Sequence, residues 1–278
     1  MRRNKCGADS LPAPLRPLAA VVELIAESLD VVAVLLSDQL AALLIVEPCG
    51  ECGVCVKPAA KRPAMRISHR HKFIFFSSPK TGSESIRVLL DPLSDVHDVP
   101  FFRTTPAFPF YSHIRPIEMK AVFARFGWRY DDYYRFVFVR NPWTRLVSMY
   151  RYVLRSDFNL TMPFGDWLTA TRPDGTGGGG PDHARWLKYG TYSLDAFASD
   201  GNGRLLVDDV FRLEDIESVP DRLRARGIPL PADASVPWVN RTKTAGGLAE
   251  FYTPELIELV RRRYAREVVE FGYEYPGD

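Results

Sequence analysis

The sequence predicts an α/β fold: a parallel central sheet flanked by helices. Three observations lead there. Short continuous runs, largely apolar, at Phe73–Ser77 and Phe136–Val139 read as strands buried on both faces. Each run is followed by a polar turn and then by a helix-type pattern. Strand-like and helix-like segments alternate from Lys72 to the C-terminus, the order that builds a parallel sheet covered on both sides.

The elements follow in order. Phe73–Ser77 is the first strand and Ser83–Leu90 the helix after it. Val96–Phe102 is a candidate strand. Pro116–Phe126 is helical, with Ile117, Ala121, Val122 and Phe126 along one side. After the strand Phe136–Val139, Pro142 suits a first helical turn, and Thr144–Leu154 continues that helix. Arg172–Pro181 is a loop whose glycine run, Gly177–Gly180, is too pliable to cradle a phosphate by itself. Leu205–Phe211 is a strand, Ile216–Arg226 a helix, and Pro254–Phe271 a closing helix.

Composition divides the chain near residue 65. Residues 1–64 hold no aromatic side chain, whereas all four cysteines, Cys6, Cys49, Cys52 and Cys55, lie there. The sequence thus reads as an N-terminal extension, 1–64, partly helical or disordered, and a catalytic-type domain, 65–278. Leu18–Val46 reads as one or two helices. Its cleanest apolar run, Val31–Val46, is 16 residues with Asp38 inside it, short of the roughly 20 uncharged residues of a membrane span. Cys49, Cys52 and Cys55 have a spacing that thiolate metal sites use, but no second ligand pair follows, and incidental cysteines are the plainer reading. Net charge is +2, so no global field draws in nucleic acid or an acidic membrane. The absence of cysteine from the domain fits a reducing, cytoplasmic setting.

Function is read from the two strand-to-helix corners. The first is Ser77-Ser78-Pro79-Lys80-Thr81-Gly82-Ser83-Glu84-Ser85. Backbone N–H groups at such a helix start point at any anion seated there. Gly82 permits close approach, Lys80 supplies charge, and Thr81, Ser83 and Ser85 supply hydroxyls. The plainer alternative is an ordinary turn with Ser83 as N-cap. The triphosphate-binding pattern is excluded because the lysine precedes the only glycine. The second corner is Phe138-Val139-Arg140-Asn141-Pro142-Trp143-Thr144-Arg145-Leu146-Val147-Ser148. Arg140 offers a planar fork to phosphate oxygens.

Both segments resemble motifs of the PAPS-dependent carbohydrate sulfotransferases, the Golgi-type and bacterial family 2 group that includes heparan/uronyl 2-O- and chondroitin-type enzymes. PAPS is 3′-phosphoadenosine 5′-phosphosulfate. Pro79–Ile86 is similar to the family's 5′-phosphosulfate loop, with Lys80, Thr81, Gly82 and Ser85 matching. Ser83 stands for a usual glycine and Glu84 for a usual threonine. The second segment is similar to the family's 3′-phosphate motif, which implies that Arg140 and Ser148 bind that phosphate. Val236–Lys243 and Tyr264–Tyr273 resemble later family segments, and Arg241 and Lys243 are candidates for a basic lid over the nucleotide. The resemblance implies a P-loop-like sulfotransferase fold, PAPS as cosubstrate, a carbohydrate or glycoconjugate hydroxyl as acceptor, and no metal.

Transfer of a sulfuryl group calls for a base at the acceptor hydroxyl and a cation at the departing phosphate. Lys80 is the expected cation. His113, between the two corners, is the expected base, since an imidazole titrates in the right range. Glu84 is the second candidate and His183 the third, while His69 and His71 are expected to face solvent. Two alternatives stand beside this reading. One is a phosphoryl transferase using Asp208, Asp209 and Asp215 with magnesium. The other is a non-catalytic nucleotide-binding relative, which the departures at Ser83 and Glu84 would fit.

Overall fold

A computed structural model describes residues 44–49, 53–58, 66–99, 103–155, 162–174, 191–237 and 247–277. The chain forms two compact units, Met1–Arg62 and Pro63–Asp278. In the first, β1 (Leu44–Cys49) and β2 (Gly53–Pro58) pair as an antiparallel hairpin. Leu44, Ile45 and Val46 are therefore strand residues, not the end of a helix. In this register Val46 pairs with Val56 and Pro48 with Val54, and β-branched residues such as Ile45, Val46, Val54 and Val56 favour extended backbone. Cys49 and Cys55 lie on its two strands, and Cys6 and Cys52 fall outside the described residues.

The second unit is built on five strands, β3 (Arg66–Ser68), β4 (Phe73–Phe76), β5 (Val96–His97), β6 (Tyr134–Val139) and β7 (Asp209–Arg212), in the order β5-β3-β4-β6-β7. β4, β6 and β7 are mutually parallel. The sheet is mixed rather than wholly parallel, because β3 runs antiparallel to β4 and β5. A tight turn at 69–72, with Lys72 in the left-handed region at φ 53°, reverses the chain between β3 and β4. Such a short link can join only antiparallel neighbours.

The period of two in β4 and β6 fills both faces of the sheet. Ile74, Phe76, Val137 and Val139 pack on one side, with α2 (Pro116–Arg125) and α3 (Pro142–Arg155). Phe73, Phe75, Phe136 and Phe138 pack on the other, with α1 (Ser83–Leu90) and α6 (Val219–Ala225). Neighbouring strands stack their rings, Phe75 on Phe136 at 5.5 Å and Phe138 on Phe211 at 5.2 Å. Each fully buried ring contributes about 2–3 kcal/mol. The corners of β4 and β6 thus follow strands that are buried on both faces.

Several boundaries differ from expectation for identifiable reasons. The strand expected at 205–211 is confined to Asp209–Arg212, and Leu205 makes only an isolated bridge to Ser199. The helix expected from Ile216 starts as a 3-10 segment, Leu213–Ser218, and becomes α-helical at Val219, where Pro220 fits the first turn. The closing helix is broken into α7 (Pro254–Arg263) and α8 (Ala265–Phe271) at Tyr264, whose hydroxyl donates to the Thr191 carbonyl at 2.5 Å. α4 (Phe164–Ala170) and α5 (Leu194–Ala198) lie between β6 and β7 in the chain. His69 does not face solvent. It is half-buried, with its ring 4.4 Å from Trp128 and its Nδ1 2.7 Å from the Tyr133 hydroxyl.

After β4 the chain turns toward β5 on one side of the sheet; after β6 it turns toward β7 on the other. The crevice beyond the ends of β4 and β6 is therefore a topological switch point, where open α/β sheets bind ligands. Among the described residues no helix is long and apolar enough to cross a membrane.

Candidate active site

The first corner is shaped by backbone. Lys80 and Gly82 both take left-handed φ angles, 63° and 79°. For a lysine that conformation costs about 1–2 kcal/mol, a kind of strain that gathers at functional sites. Gly82 is required twice over: besides its φ, an added Cβ would come within 2.3 Å of Leu213 Cδ1. Gly82, not Ser83, is the N-cap, and no side chain caps α1. Capping by Ser83 is thereby corrected, since Ser83 is already the first helical residue. Thr81 is fully buried and its hydroxyl donates to the Ser78 carbonyl at 2.8 Å, so it staples the loop. Ser83 and Ser85 are buried at the helix start. Glu84 is turned aside, its carboxylate accepting from Arg87 at 2.6 Å.

The second corner is shaped by side chains. Arg140 Nε donates to Thr144 Oγ1 at 3.2 Å, and Thr144 in turn donates to the Asn141 carbonyl at 3.1 Å. Arg140 Nη1 donates to the Lys80 carbonyl at 3.4 Å. The two corners, sixty positions apart in sequence, thus touch. Burial lowers the Arg140 pKa from its ordinary value, and the Glu214 carboxylate partly offsets this. Among the described residues Arg140 forms no ion pair. A desolvated guanidinium so placed favours an incoming anion.

Helix α3 carries the rest. Thr144, Ser148 and Tyr152 recur every fourth residue and share a face. All three are half-buried, between fully buried Trp143, Leu146, Val147 and Met149. Thr144 holds Arg140, and the Tyr152 ring lies 4.7 Å beneath Lys80 Nζ. Ser148 stands between these contacts, one helical turn from each. The helix start is held by Trp143, whose indole donates to the Ile257 carbonyl at 3.2 Å. Asn141 is gripped by Glu214 at 2.9 Å and by the Glu274 carbonyl at 2.8 Å.

His113 reaches the same crevice. Its Nδ1 is 2.6 Å from the Ser77 carbonyl, at the end of β4. A carbonyl only accepts, so Nδ1 carries the proton and Nε2 keeps its lone pair. The ring is half-buried by surface exposure but closely enclosed by protein atoms. Burial pushes its pKa below the ordinary value of 6.5, with the Ser77 hydrogen bond opposing, Lys80 adding to the fall and Glu84 opposing it. The backbone at His113 is also left-handed, φ 66°.

Lys80, Thr81, Gly82, Ser83, Ser85, His113, Arg140 and Ser148 are therefore gathered around one switch point. Arg241, Lys243 and His183 lie outside the described residues. The sequence reading missed Thr144, Tyr152 and Glu214. A signal for the first two existed in their fourfold spacing with Ser148; nothing local marks Glu214, which arrives from the turn after β7. Of the carboxylates of the phosphoryl-transfer alternative, Asp215 lies beyond the end of β7 and pairs with Arg212 at 3.6 Å, whereas Asp208 and Asp209 are placed elsewhere. Asp209 pairs with Phe136 near the start of β6, at the opposite end of the parallel strands from the corners. Asp208 is held by Arg135 at 2.7 Å and Asp209 by Arg226 at 2.8 Å.

The two corners thus adjoin through Arg140 and the Lys80 carbonyl, and the His113 imidazole sits against the first of them at Ser77. The model of the Sulfotransferase family matches residues 63–172, the stretch that runs from β3 through both corners. Over these residues the chain is similar to the sulfotransferases, a family whose members transfer sulfuryl groups. No curated protein matches it. The crystal structure of a sulfotransferase from Alicyclobacillus acidocaldarius aligns with 72% of this chain and 93% of its own, at 18% identity and a TM-score of 0.39.

Proposed function

We propose that the protein transfers the sulfuryl group of PAPS to a hydroxyl of a carbohydrate or glycoconjugate. The observation that carries the reading is the contact of the two corners, Arg140 Nη1 on the Lys80 carbonyl at 3.4 Å. Two anion-binding groups that close suit one doubly phosphorylated nucleotide. The residues present also fit such a molecule chemically. An uncapped helix start and Lys80 suit the 5′ end; the desolvated Arg140 with Ser148 suits the 3′-phosphate.

His113 Nε2 takes the proton of the acceptor hydroxyl. The acceptor oxygen forms its bond to sulfur as the bond from sulfur to the phosphate oxygen breaks. The electron pair of that bond stays with the phosphate, leaving 3′,5′-adenosine bisphosphate. Lys80 stabilises the charge that grows on the leaving oxygen. Tyr152, through its ring face, keeps the ammonium near the corner. Arg241 and Lys243 are proposed to close over the nucleotide.

The observed Glu84–Arg87 pair speaks for the catalytic reading over the non-catalytic one, because the carboxylate is compensated. The test is transfer from PAPS to a panel of oligosaccharides in the presence of chelator. Sulfated product with release of 3′,5′-adenosine bisphosphate is expected. Tight binding of the bisphosphate with no product from any acceptor would instead establish the non-catalytic relative.

A further inference from the structure

Asp98 is 1% exposed, and a carboxylate at that depth requires partners. Its Oδ1 accepts from Arg66 Nη1 at 3.5 Å, and its Oδ2 accepts from the Ser112 hydroxyl. Arg66 is equally buried and is also held by Asp91 at 2.5 Å. Ser112 immediately precedes His113. The adjoining backbone is pinned as well: the Val99 amide donates to the Phe110 carbonyl at 3.0 Å, and Val99 bridges to Tyr111. The chain then enters the left-handed conformation at His113, φ 66°. A non-glycine residue stays there only when its surroundings hold it.

We propose that Asp98, anchored by Arg66 and acting through Ser112, is the positioning residue that locks the His113 backbone and so aims Nε2 at the acceptor. The inference rests on the reading of His113 as the base. The imidazole is held from two sides, by Ser77 at its Nδ1 and by Asp98 through the preceding residue. Released on the Asp98 side, the ring still pivots about its Ser77 hydrogen bond, and Nε2 loses its direction. The charged groups around this pair are Arg66, Asp91 and Arg87 on the Asp98 side, and Lys80 and Glu84 on the imidazole side.

Ser112→Ala cuts the link while leaving the Arg66–Asp98 pair in place. It should lower kcat about ten-fold, in the range that small misplacements of a reacting group produce. Affinity for 3′,5′-adenosine bisphosphate should stay within about two-fold, and Ser112→Thr should retain turnover. Asp98→Asn should lower kcat similarly, and the double variant should be no worse than the poorer single one. Should Asp98→Asn fail to fold, the Ser112 variants decide alone. Nitrogen-15 NMR of the imidazole reads the brace without any turnover: with Nδ1 still protonated on the Ser77 carbonyl, the Nε2 resonance should shift and broaden in Ser112→Ala as the ring loses its fixed direction. Wild-type kcat together with unchanged imidazole shifts in Ser112→Ala would overturn the proposal. A wild type that binds the bisphosphate but transfers nothing would overturn the base reading, while the imidazole shifts still decide whether the brace exists.

Discussion

The two corners do similar work by different means. At Ser77–Ser85 the shape lies in the backbone: two left-handed residues, an uncapped helix and hydroxyls that are buried or used locally. At Val139–Ser148 the backbone is regular, and recognition lies in side chains, Arg140 backed by Thr144 and Asn141. A backbone corner tolerates side-chain changes that do not alter its path, which is how Ser83 and Glu84 coexist with an intact loop. A side-chain corner tolerates almost none. The first corner should therefore govern chemistry through Lys80, and the second should govern nucleotide affinity through Arg140.

The largest effect expected is on turnover. Lys80→Met and His113→Ala should each lower kcat by about a thousand-fold, as loss of leaving-group stabilisation or of a general base does, with bisphosphate affinity changed by about three-fold or less. Steady-state rates beside calorimetric affinities check this. Equal losses in both quantities would erase the distinction between the corners. Next, Arg140→Ala should weaken 3′,5′-adenosine bisphosphate about a hundred-fold while hardly altering AMP, because a charge-assisted fork to the 3′-phosphate is lost.

A smaller effect is expected from Gly82→Ala, about 2 kcal/mol of stability from the left-handed φ and the clash with Leu213, read by denaturant unfolding. The same change at Gly127, also left-handed at φ 71° but with no atom near an added Cβ, should cost less. The pH dependence follows from the lowered His113 pKa. The base works when neutral, so kcat should rise through a midpoint below 6.5 and stay level toward neutrality. The sign for folding agrees. Below 6.5 the unfolded chain binds a proton at this residue more readily than the native one, so this contribution is full above 6.5 and declines as pH falls below it. The smallest effect is Glu84→Thr, within about three-fold in kcat/KM, since Arg87 already compensates the carboxylate.

The legible parts of the fold were those set by local chemistry. Ser83–Leu90 is the expected helix residue for residue, and Pro142 begins its helix as a proline should. The apolar runs of β4 and β6 are fully buried over Phe73–Phe76 and Phe136–Val139 apart from a slight exposure of Val139. The antiparallel β3 was not legible, because Arg66-Ile67-Ser68 has one apolar residue and its burial depends on the partners Asp91 and Asp98 far along the chain. The break at Tyr264 escaped as well, where a buried ring bonds through its hydroxyl to Thr191, a distant part of the chain. In the site, Lys80, Arg140 and His113 could be named from motifs. Their mutual contact, the tautomer imposed by Ser77 and the burial of Asp98 arise only when the sheet order brings distant segments together.

The central claim is that both corners hold one doubly phosphorylated nucleotide. Thermal unfolding with 3′,5′-adenosine bisphosphate, AMP and ATP, for the wild type and for Arg140→Ala, tests it most directly. The account predicts a clear rise in Tm with the bisphosphate, a small one with AMP or ATP, and loss of the difference in Arg140→Ala. Equal shifts with all three nucleotides in the wild type, or a bisphosphate shift that survives Arg140→Ala, would contradict it.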